Sequence, residues 1–415
     1  MKRKSTFAAS LMLAVLASLA LAPARGSSAD QNADHWVGTW ATSPLLAGAQ
    51  GPNGAHPPEY KDATLRQIVH VSIGGPSIRV RFSNTFGATP LVISSAHVAV
   101  SAGAGAIRPD SDKALTFNGQ TSVTIPAGAP AYSDPLDFNL APLSDLAITI
   151  HVDAAPQAIT THQGSSATSY LQSGDAVSSA DLSSAMHIPH WYFLEGVDVK
   201  SPRAAGAVVT FGDSITDGAF SKQDANSRWP DDLARRLAAN KKTSGVGVLN
   251  EGIGGNRLLH DIAGPNALAR FDRDVLAQSG VRWLVVLEGI NDIGYITTAA
   301  ARNEQPPTSQ DLIAAYQQII LRAHAHRIRV YGCTILPFEG AHYYTPQGEV
   351  VRQAVNKWIR SSGAFDAVID LDAATRDAQD PAHLKAGADS GDHLHPGDAG
   401  YKVMADAIDL KLFMK

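Results

Sequence analysis

Two different periods divide the chain. Between residues 35 and 195 apolar and polar positions alternate in short runs. Leu65, Gln67, Val69, Val71 and Ile73 alternate with Arg66, Ile68, His70 and Ser72, and Ile78, Val80 and Phe82 alternate with Arg79, Arg81 and Ser83. A two-residue period places one set on each face of a strand, so these runs read as strands with one buried and one mostly wet face. Gly74-Gly75-Pro76-Ser77 reads as the turn that joins them into a hairpin. Leu91–Val100, Thr121–Ile125 and Ala147–Val152 repeat the pattern, with turn clusters such as Pro126-Ala127-Gly128 between them. No segment here has helical spacing. The expectation for 35–195 is an antiparallel β-sandwich, jelly-roll-like in its run of short strands.

Residues 196–205, with Ser201-Pro202 inside, read as a linker. Beyond it the period changes. Ala207–Phe211, Val246–Leu249, Trp283–Glu288, Ile328–Ile335 and Ala367–Leu371 are short apolar runs, as suits parallel strands buried on both faces. Helical segments are predicted between and after them: Pro230–Ala239, Pro265–Ala277, Ser309–His324, Glu349–Ser361 and Ala399–Leu412. Thr308 and Asp311 have the spacing of a capping box, and Val350, Val351, Ala354, Trp358 and Ile359 fall at helical spacing. Strands alternating with helices predict a doubly wound α/β domain over 206–415.

The first residues are of another kind. Lys2, Arg3 and Lys4 precede an apolar run from Phe7 to Ala22, and Ala22-Pro23-Ala24 has the small residues of a cleavage site. Residues 1–24 therefore read as a secretory signal peptide, with an uncleaved anchor as the alternative. The expected location is the periplasm or the medium. No other run approaches the roughly 20 apolar residues of a membrane span, and no Cys follows the apolar run to take a lipid. Removing residues 1–24 takes three basic residues and no acidic one, moving the formal net charge from −5 to −8. That balance disfavours nucleic acid and anionic membranes as partners. The 415 residues, 44% hydrophobic and 18% charged, are those of a globular chain of about two or three domains. The lone Cys333 forbids an internal disulfide, and its apolar setting reads as core packing rather than as a nucleophile.

In an open α/β sheet ligands bind beyond the carboxyl ends of the strands, so the residues that follow each apolar run carry the chemistry. The first run leads into Gly212-Asp213-Ser214-Ile215-Thr216-Asp217-Gly218, where a Ser at a strand-to-helix turn can project its hydroxyl and its amide into the crevice. A turn that merely joins strand to helix has the same composition. The second leads into Asn250-Glu251-Gly252-Ile253-Gly254-Gly255-Asn256-Arg257. A dinucleotide-binding fingerprint begins similarly, but Arg257 stands where it needs Gly or Ala, and a glycine amide donated to an oxyanion fits better. The third leads into Glu288-Gly289-Ile290-Asn291-Asp292, where the Asn carboxamide is either an oxyanion donor or a turn cap. Near the C-terminus, Asp392 and His395 are spaced so that a carboxylate can hold an imidazole in one tautomer. A metal site using His393, His395 and a carboxylate is the rival, but no recognisable zinc spacing accompanies it. No metal and no cofactor is expected.

Together and in this order, the four blocks resemble the SGNH hydrolases of the GDSL family, with Gly212-Asp213-Ser214-Ile215 as the first block and Ile in place of Leu. The resemblance covers about residues 205 to 413. It implies a flavodoxin-like three-layer α/β/α domain, Ser214 as nucleophile, and Asp392 and His395 as the rest of a triad. It also implies an oxyanion hole of the Ser214 and Gly255 amides, with Gly254 adjacent, and the Asn291 carboxamide. Trp36-Val37-Gly38-Thr39-Trp40-Ala41, Ser83-Asn84-Thr85-Phe86-Gly87 and Arg228-Trp229-Pro230-Asp231 resemble a two-domain secreted bacterial branch with an N-terminal β-domain. Some relatives there are linked to xylan breakdown.

The expected activity is hydrolysis of carboxylic esters, short acyl groups such as acetyl on carbohydrate or small alcohols first. The Gly-x-Ser-x-Gly elbow of typical lipases is absent, since Thr216 stands where its last Gly would be. A lipase or arylesterase and a transacylase are the enzymatic alternatives. The alternative without catalysis is a carbohydrate-binding protein, with Trp36 and Trp40 either stacking on sugars or packing the domain edge. Asp213, Tyr295, His342, Tyr343 and Tyr344 are the candidate substrate contacts, with ordinary packing as the competing role of the loop aromatics. The partner is a small-molecule or polysaccharide ester. The sequence sets no oligomeric state.

Overall fold

A computed structural model describes residues 35–48, 60–202 and 205–414 of the chain. The signal-peptide reading of 1–24 lies outside the described residues. No helix among the described residues is long and apolar enough to cross a membrane.

The first part is built of antiparallel strands. One sheet runs His35–Ala41, Leu194–Ser201, Gly75–Ser83, Leu136–Leu140, with Pro130–Tyr132 also paired to Gly75–Ser83. A second runs Met186–Ile188, Ser169–Ser173, Lys61–His70, Asp145–Ala154, Leu91–Gly103, and short strands pair with the last of these. A small third sheet joins His190–Tyr192, Thr160–Gln163 and Leu45–Leu46. Inward side chains of the two larger sheets, among them Leu65, Val69, Ile78, Val80, Ile148 and Val197, belong to one core cluster.

Two expectations for this part are corrected. Lys61–His70 and Gly75–Ser83 are strands, but they do not pair as a hairpin. The first lies between Ser169–Ser173 and Asp145–Ala154, and the second pairs with Leu194–Ser201 and Leu136–Leu140. The intervening turn carries the chain from one sheet to the other. Alternation reports which face of a strand is buried and says nothing about its neighbour. Residues 196–201, read as linker, form most of a strand paired on both sides, with Val197 and Val199 fully buried.

The second part is a five-stranded parallel sheet in the order Val246–Gly252, Gly206–Gly212, Val281–Leu287, Arg329–Cys333, Ala367–Ile369. The strands are mostly apolar and buried, and helices cover both faces of the sheet, giving a three-layer α/β/α domain. Trp229–Ala239 packs with Asp398–Asp406, and Ser309–Ala325 packs with Pro346–Ser361. Thr308 caps Ser309–Ala325 by accepting the Asp311 amide, and the Asp311 carboxylate accepts the Thr308 amide in return.

The helix predicted over 349–361 begins at Pro346, behind the Thr345 cap, and presents a different face from the expected one. Val350 and Ala354 are exposed, whereas Arg352, Val355, Asn356 and Ile359 are buried. Buried polar groups need partners. Arg352 finds Glu349, Asp372 and the Ile335 carbonyl, and Asn356 donates to that carbonyl and accepts the Ile335 amide. Cys333 is 1% exposed, and burial holds its thiol well above the ordinary range, as a core residue.

The two parts share one apolar core and meet along an edge of the parallel sheet. His35–Ala41 crosses Val246–Gly252. Ser72 Oγ donates to the Thr39 carbonyl at 2.6 Å and accepts the Val248 amide at 2.9 Å, and the Gly38 amide donates to Ser279 O at 2.9 Å. The approach is close enough that a Cβ on Gly247 would lie 2.2 Å from the Gly38 carbonyl oxygen. Gly247→Ala should therefore cost about 1–3 kcal/mol by forcing the backbones apart. Gly245→Ala, whose Cβ would meet Ala205 at an ordinary 3.6 Å, should stay within about 0.5 kcal/mol. Urea unfolding of both variants checks this, and equal midpoints would contradict the close docking.

Candidate active site

In this strand order the sheet reverses direction of growth beside its first strand, the place where doubly wound sheets open a crevice. Gly206–Gly212 ends there. A Cβ on Gly212 would lie 2.2 Å from the Leu287 carbonyl oxygen, so only glycine lets the two strand ends sit this close. The next residue, Asp213, is extended and accepts the Ile215 amide at 2.9 Å, capping the single helical turn Ser214–Asp217. Ser214 is its first residue, so its amide lies at the start of the turn, where no intrahelical acceptor exists.

The C-terminal block closes on the serine from 181 residues away. Ser214 Oγ lies 2.7 Å from His395 Nε2, and His395 Nδ1 lies 2.6 Å from Asp392 Oδ2. The other carboxylate oxygen accepts the Leu394 and His395 amides at 3.0 and 2.8 Å. A carboxylate accepts only, so Nδ1 carries the proton and Nε2 presents its lone pair to the serine hydroxyl. Partial burial pushes the Asp392 carboxyl up, but the bonds from the His395 ring and the two amides overcome this and hold it well below the usual carboxylate range. His393 turns away to Asp389 at 2.7 Å, so the two histidines serve different carboxylates.

The second and third blocks lock onto the first and onto each other. The Gly254 amide donates to Asp217 Oδ2 at 3.1 Å, whereas the amides of Gly255 and Ser214 have no protein acceptor among the described residues. Of the two adjacent glycines, Gly255 is thus the one with a hydrogen to give. Its φ of +78° is readily adopted only by glycine. Asn291 gives one carboxamide hydrogen to the Asn256 carbonyl at 2.9 Å, and its oxygen accepts the Tyr343 hydroxyl at 3.3 Å. These bonds fix which way the amide points and leave its second hydrogen.

Residues 210–403 match the GDSL-like lipase/acylhydrolase family. The C-terminal part of this chain is similar to GDSL-like lipase/acylhydrolase domains. Among solved structures, similar chains include a lipolytic protein of the G-D-S-L family from Desulfitobacterium hafniense, 20% identical with a TM-score of 0.37, covering 48% of this chain and 96% of that one. A variant of an acetyl xylan esterase from Geobacillus stearothermophilus is 23% identical with a TM-score of 0.39, covering 51% and 96%. The acetyl xylan esterase AlAXEase is 22% identical with a TM-score of 0.38, covering 48% and 96%. No curated protein matches the chain.

Around Ser214, His395 and Asp392 the expected substrate contacts separate. Asp213 is corrected: at 1% exposure it faces the interior, where its oxygen is needed as a helix cap. His342, Tyr343 and Tyr295 form an aromatic group beside Asn291, with ring centroids 4.4 Å apart for the first pair and 5.7 Å for Tyr343 and Tyr295. Tyr344 packs instead on Phe338, centroids 5.1 Å apart. Trp40 is buried against Trp191 and Trp36 lies under the Arg79 guanidinium, so both pack the β-domain. A cleft at the domain junction, lined by Trp40, His70, His162, Trp191, Asp217 and Arg228, includes neither Ser214 nor His395.

Sequence reasoning missed Phe220. Its ring lies 5.3 Å from that of His395, is 61% exposed, and sits on a backbone with φ +65°. A bulky residue in the left-handed region is strained, and such strain persists where the surroundings over-determine it. Here Tyr401 donates to the Ala219 carbonyl at 2.6 Å and Asp398 accepts the Lys222 amide at 2.9 Å. The available signal was one aromatic standing alone in a Gly, Ser and Asp-rich loop six positions after the serine.

Beneath Ser214 lies a group of buried acids. Burial, only partly opposed by the Ile215 amide and His395, raises the Asp213 carboxyl to about 7. Burial against the Leu258 and Leu259 amides leaves Asp292 at about 6. Burial and the neighbouring Asp213 hold Glu288 well above the usual range. A carboxyl raised by folding binds its proton more tightly in the folded state, so its stabilisation is complete below about pH 4 and is lost as pH rises through the folded value. Stability should therefore fall between about pH 4 and pH 7. Asp213→Asn, which keeps the capping oxygen, should flatten that fall. Urea midpoints across the range test it, and an unchanged slope would count against a protonated Asp213.

Proposed function

We propose that the chain is a secreted serine esterase that removes short acyl groups, acetyl foremost, from carbohydrate or small alcohols by way of an acyl-enzyme on Ser214. One observation carries the reading. The Asp392–His395–Ser214 relay is bonded at 2.6 and 2.7 Å, and the amides of Ser214 and of Gly255 in the second block have no protein acceptor among the described residues.

His395 Nε2 takes the Ser214 proton as Oγ attacks the ester carbonyl. The C=O electrons move onto oxygen, and the developing oxyanion is met by the Ser214 and Gly255 amides and the Asn291 carboxamide. Asp392, held ionised, stabilises the imidazolium that forms. The imidazolium then protonates the departing alcohol, leaving the acyl group on Oγ. Water attacks this ester with His395 again as base, releasing the acid and restoring the serine.

The choice of a short acyl group on a sugar rests on what surrounds the relay. A long chain needs a continuous apolar channel, and the ring groups beside the triad and Asn291 are Phe220, His342, Tyr343 and Tyr295. Flat rings, of which His342, Tyr343 and Tyr295 carry polar edges, suit an alcohol with both apolar and hydroxyl faces. The basic, apolar and small-residue succession of residues 1–24 supports export.

A serine-directed phosphonate with peptide mapping should label Ser214 alone. Ser214→Ala should lose both label and esterase activity, and a fully active variant would overturn the assignment. Asn291→Ala should lower kcat by about 100- to 1,000-fold with little change in KM. On a panel of esters, acetylated xylo-oligosaccharide should be preferred to octanoyl esters. Phe220→Ala should cost roughly 3- to 10-fold in kcat/KM on the oligosaccharide and much less on ethyl acetate. Equal losses on both would argue against sugar stacking.

A further inference from the structure

The β-domain reaches the catalytic residues from behind. His162, on the strand Thr160–Gln163, is 2% exposed and lies between two acceptors. Its Nδ1 is 2.8 Å from the Ser43 carbonyl oxygen and its Nε2 is 3.0 Å from Asp217 Oδ1. The Trp191 ring stacks against it at 5.7 Å, so the imidazole has little freedom to turn. Asp217 ends the helical turn that begins with Ser214, and its second oxygen accepts the Gly254 amide at 3.1 Å. The fit is tight, since a Cβ on Gly252 would lie 2.2 Å from the Asp217 amide nitrogen.

Ser43 makes a second tie. Its hydroxyl donates to Glu251 at 2.7 Å and accepts from Arg270 at 3.0 Å. Arg270, wholly buried, donates to the Glu251 carbonyl at 2.7 Å and the Gly212 carbonyl at 2.9 Å. Those carbonyls lie at the ends of the strands that lead to the oxyanion loop and to the nucleophile.

We propose that His162 of the β-domain is a positioning residue for ester hydrolysis, acting through Asp217 to hold the Gly254–Gly255 loop so that the Gly255 amide faces the oxyanion. The proposal rests on the reading of Gly255 as an oxyanion donor. The β-domain is then a working part of the active site rather than a separate binding module. An oxyanion donor acts only if held in place before the charge develops. A buried imidazole stacked against Trp191 and donating from Nε2 holds Asp217 better than water could, because water would leave the aspartate free to follow solvent.

The test uses the full chain and p-nitrophenyl acetate. His162→Ala should lower kcat by about 10- to 100-fold, the scale of a small displacement at a reacting centre, with KM changed by less than about 2-fold. His162→Gln, which can still donate to Asp217, should recover most of the loss. Asp217→Asn keeps the shape but cannot accept from both His162 and Gly254, and should lose kcat in the same way. Because His162 and Asn291 act on one oxyanion, the His162→Ala/Asn291→Ala pair should lose less than the product of the single losses. If His162→Ala and Asp217→Asn keep kcat within about 2-fold while Ser214→Ala is inactive, the proposal fails and the serine mechanism stands. If kcat falls but the double variant shows the full product, or His162→Gln recovers nothing, the link to the oxyanion is wrong. If Asn291→Ala is itself fully active, the oxyanion reading fails first. Should His162→Ala not fold, Asp217→Asn and His162→Gln decide between these outcomes.

Discussion

The hydrogen bond between Ser214 and His395 constrains everything around it. At 2.7 Å it joins residues 181 apart, and such bonds weaken steeply once distance or angle drifts. Neither partner sits on a long rigid element. The serine begins a helical turn of four residues, and the histidine lies in a loop before the last helix. Their placement is therefore borrowed. Gly206–Gly212 is paired on both sides, so the point where Ser214 leaves the sheet is set by two registers. The histidine is fixed by the carboxylate three residues earlier, which binds both its ring and its amide.

The same need for borrowed rigidity explains the buried charge beneath the site. Arg270 is 1% exposed, and an unpaired cation there would be prohibitive. It is bonded to the Asn256 carboxamide, the Ser43 hydroxyl, Asp274 and two strand-end carbonyls. A planar five-donor group can satisfy several loops at once, and the loops cannot move apart without stranding it. Glu288, 3.7 Å from Arg270, has no hydrogen-bond partner for either oxygen among the described residues. With Asp213 also pushed up by burial, the acids under the serine are held toward their neutral forms. In the proposed mechanism, charge that develops at the oxyanion then meets little repulsion from below.

How much of this was legible follows from what a sequence encodes. The parallel strands were readable because burial on both faces leaves them mostly apolar, and Val208, Val209, Leu284, Val285 and Val286 are all fully buried. The four chemical blocks were readable because an α/β sheet places its chemistry at strand ends, a position that can be counted along the chain. Pairing partners were not readable. The alternation of Val197 and Val199 with Asp198 and Lys200 was present in the stretch taken for a linker, and Pro202 marks the end of that strand. The two acids flanking the turn illustrate another limit. Asp213 and Asp217 look equivalent in sequence, yet one caps the turn from inside and the other meets a second domain, a difference that exists only once the turn has formed.

The junction between the domains ties stability to chemistry. An open parallel sheet leaves an edge strand with unpaired backbone groups, which proteins must cover or blunt. Here the edge is Val246–Gly252, and the β-domain covers it through His35–Ala41 and Ser72. That strand runs directly into Gly254 and Gly255. Covering the edge and bracing the Gly254–Gly255 loop are thus one series of contacts along this strand and the loop after it, from Val248 bonded to Ser72, through Glu251 bonded to Ser43, to Gly254 bonded to the Asp217 that His162 holds. A domain that merely shielded the edge would need only the first of these. The continuation to the last places His162 where a change in domain docking is passed to the Gly254–Gly255 loop.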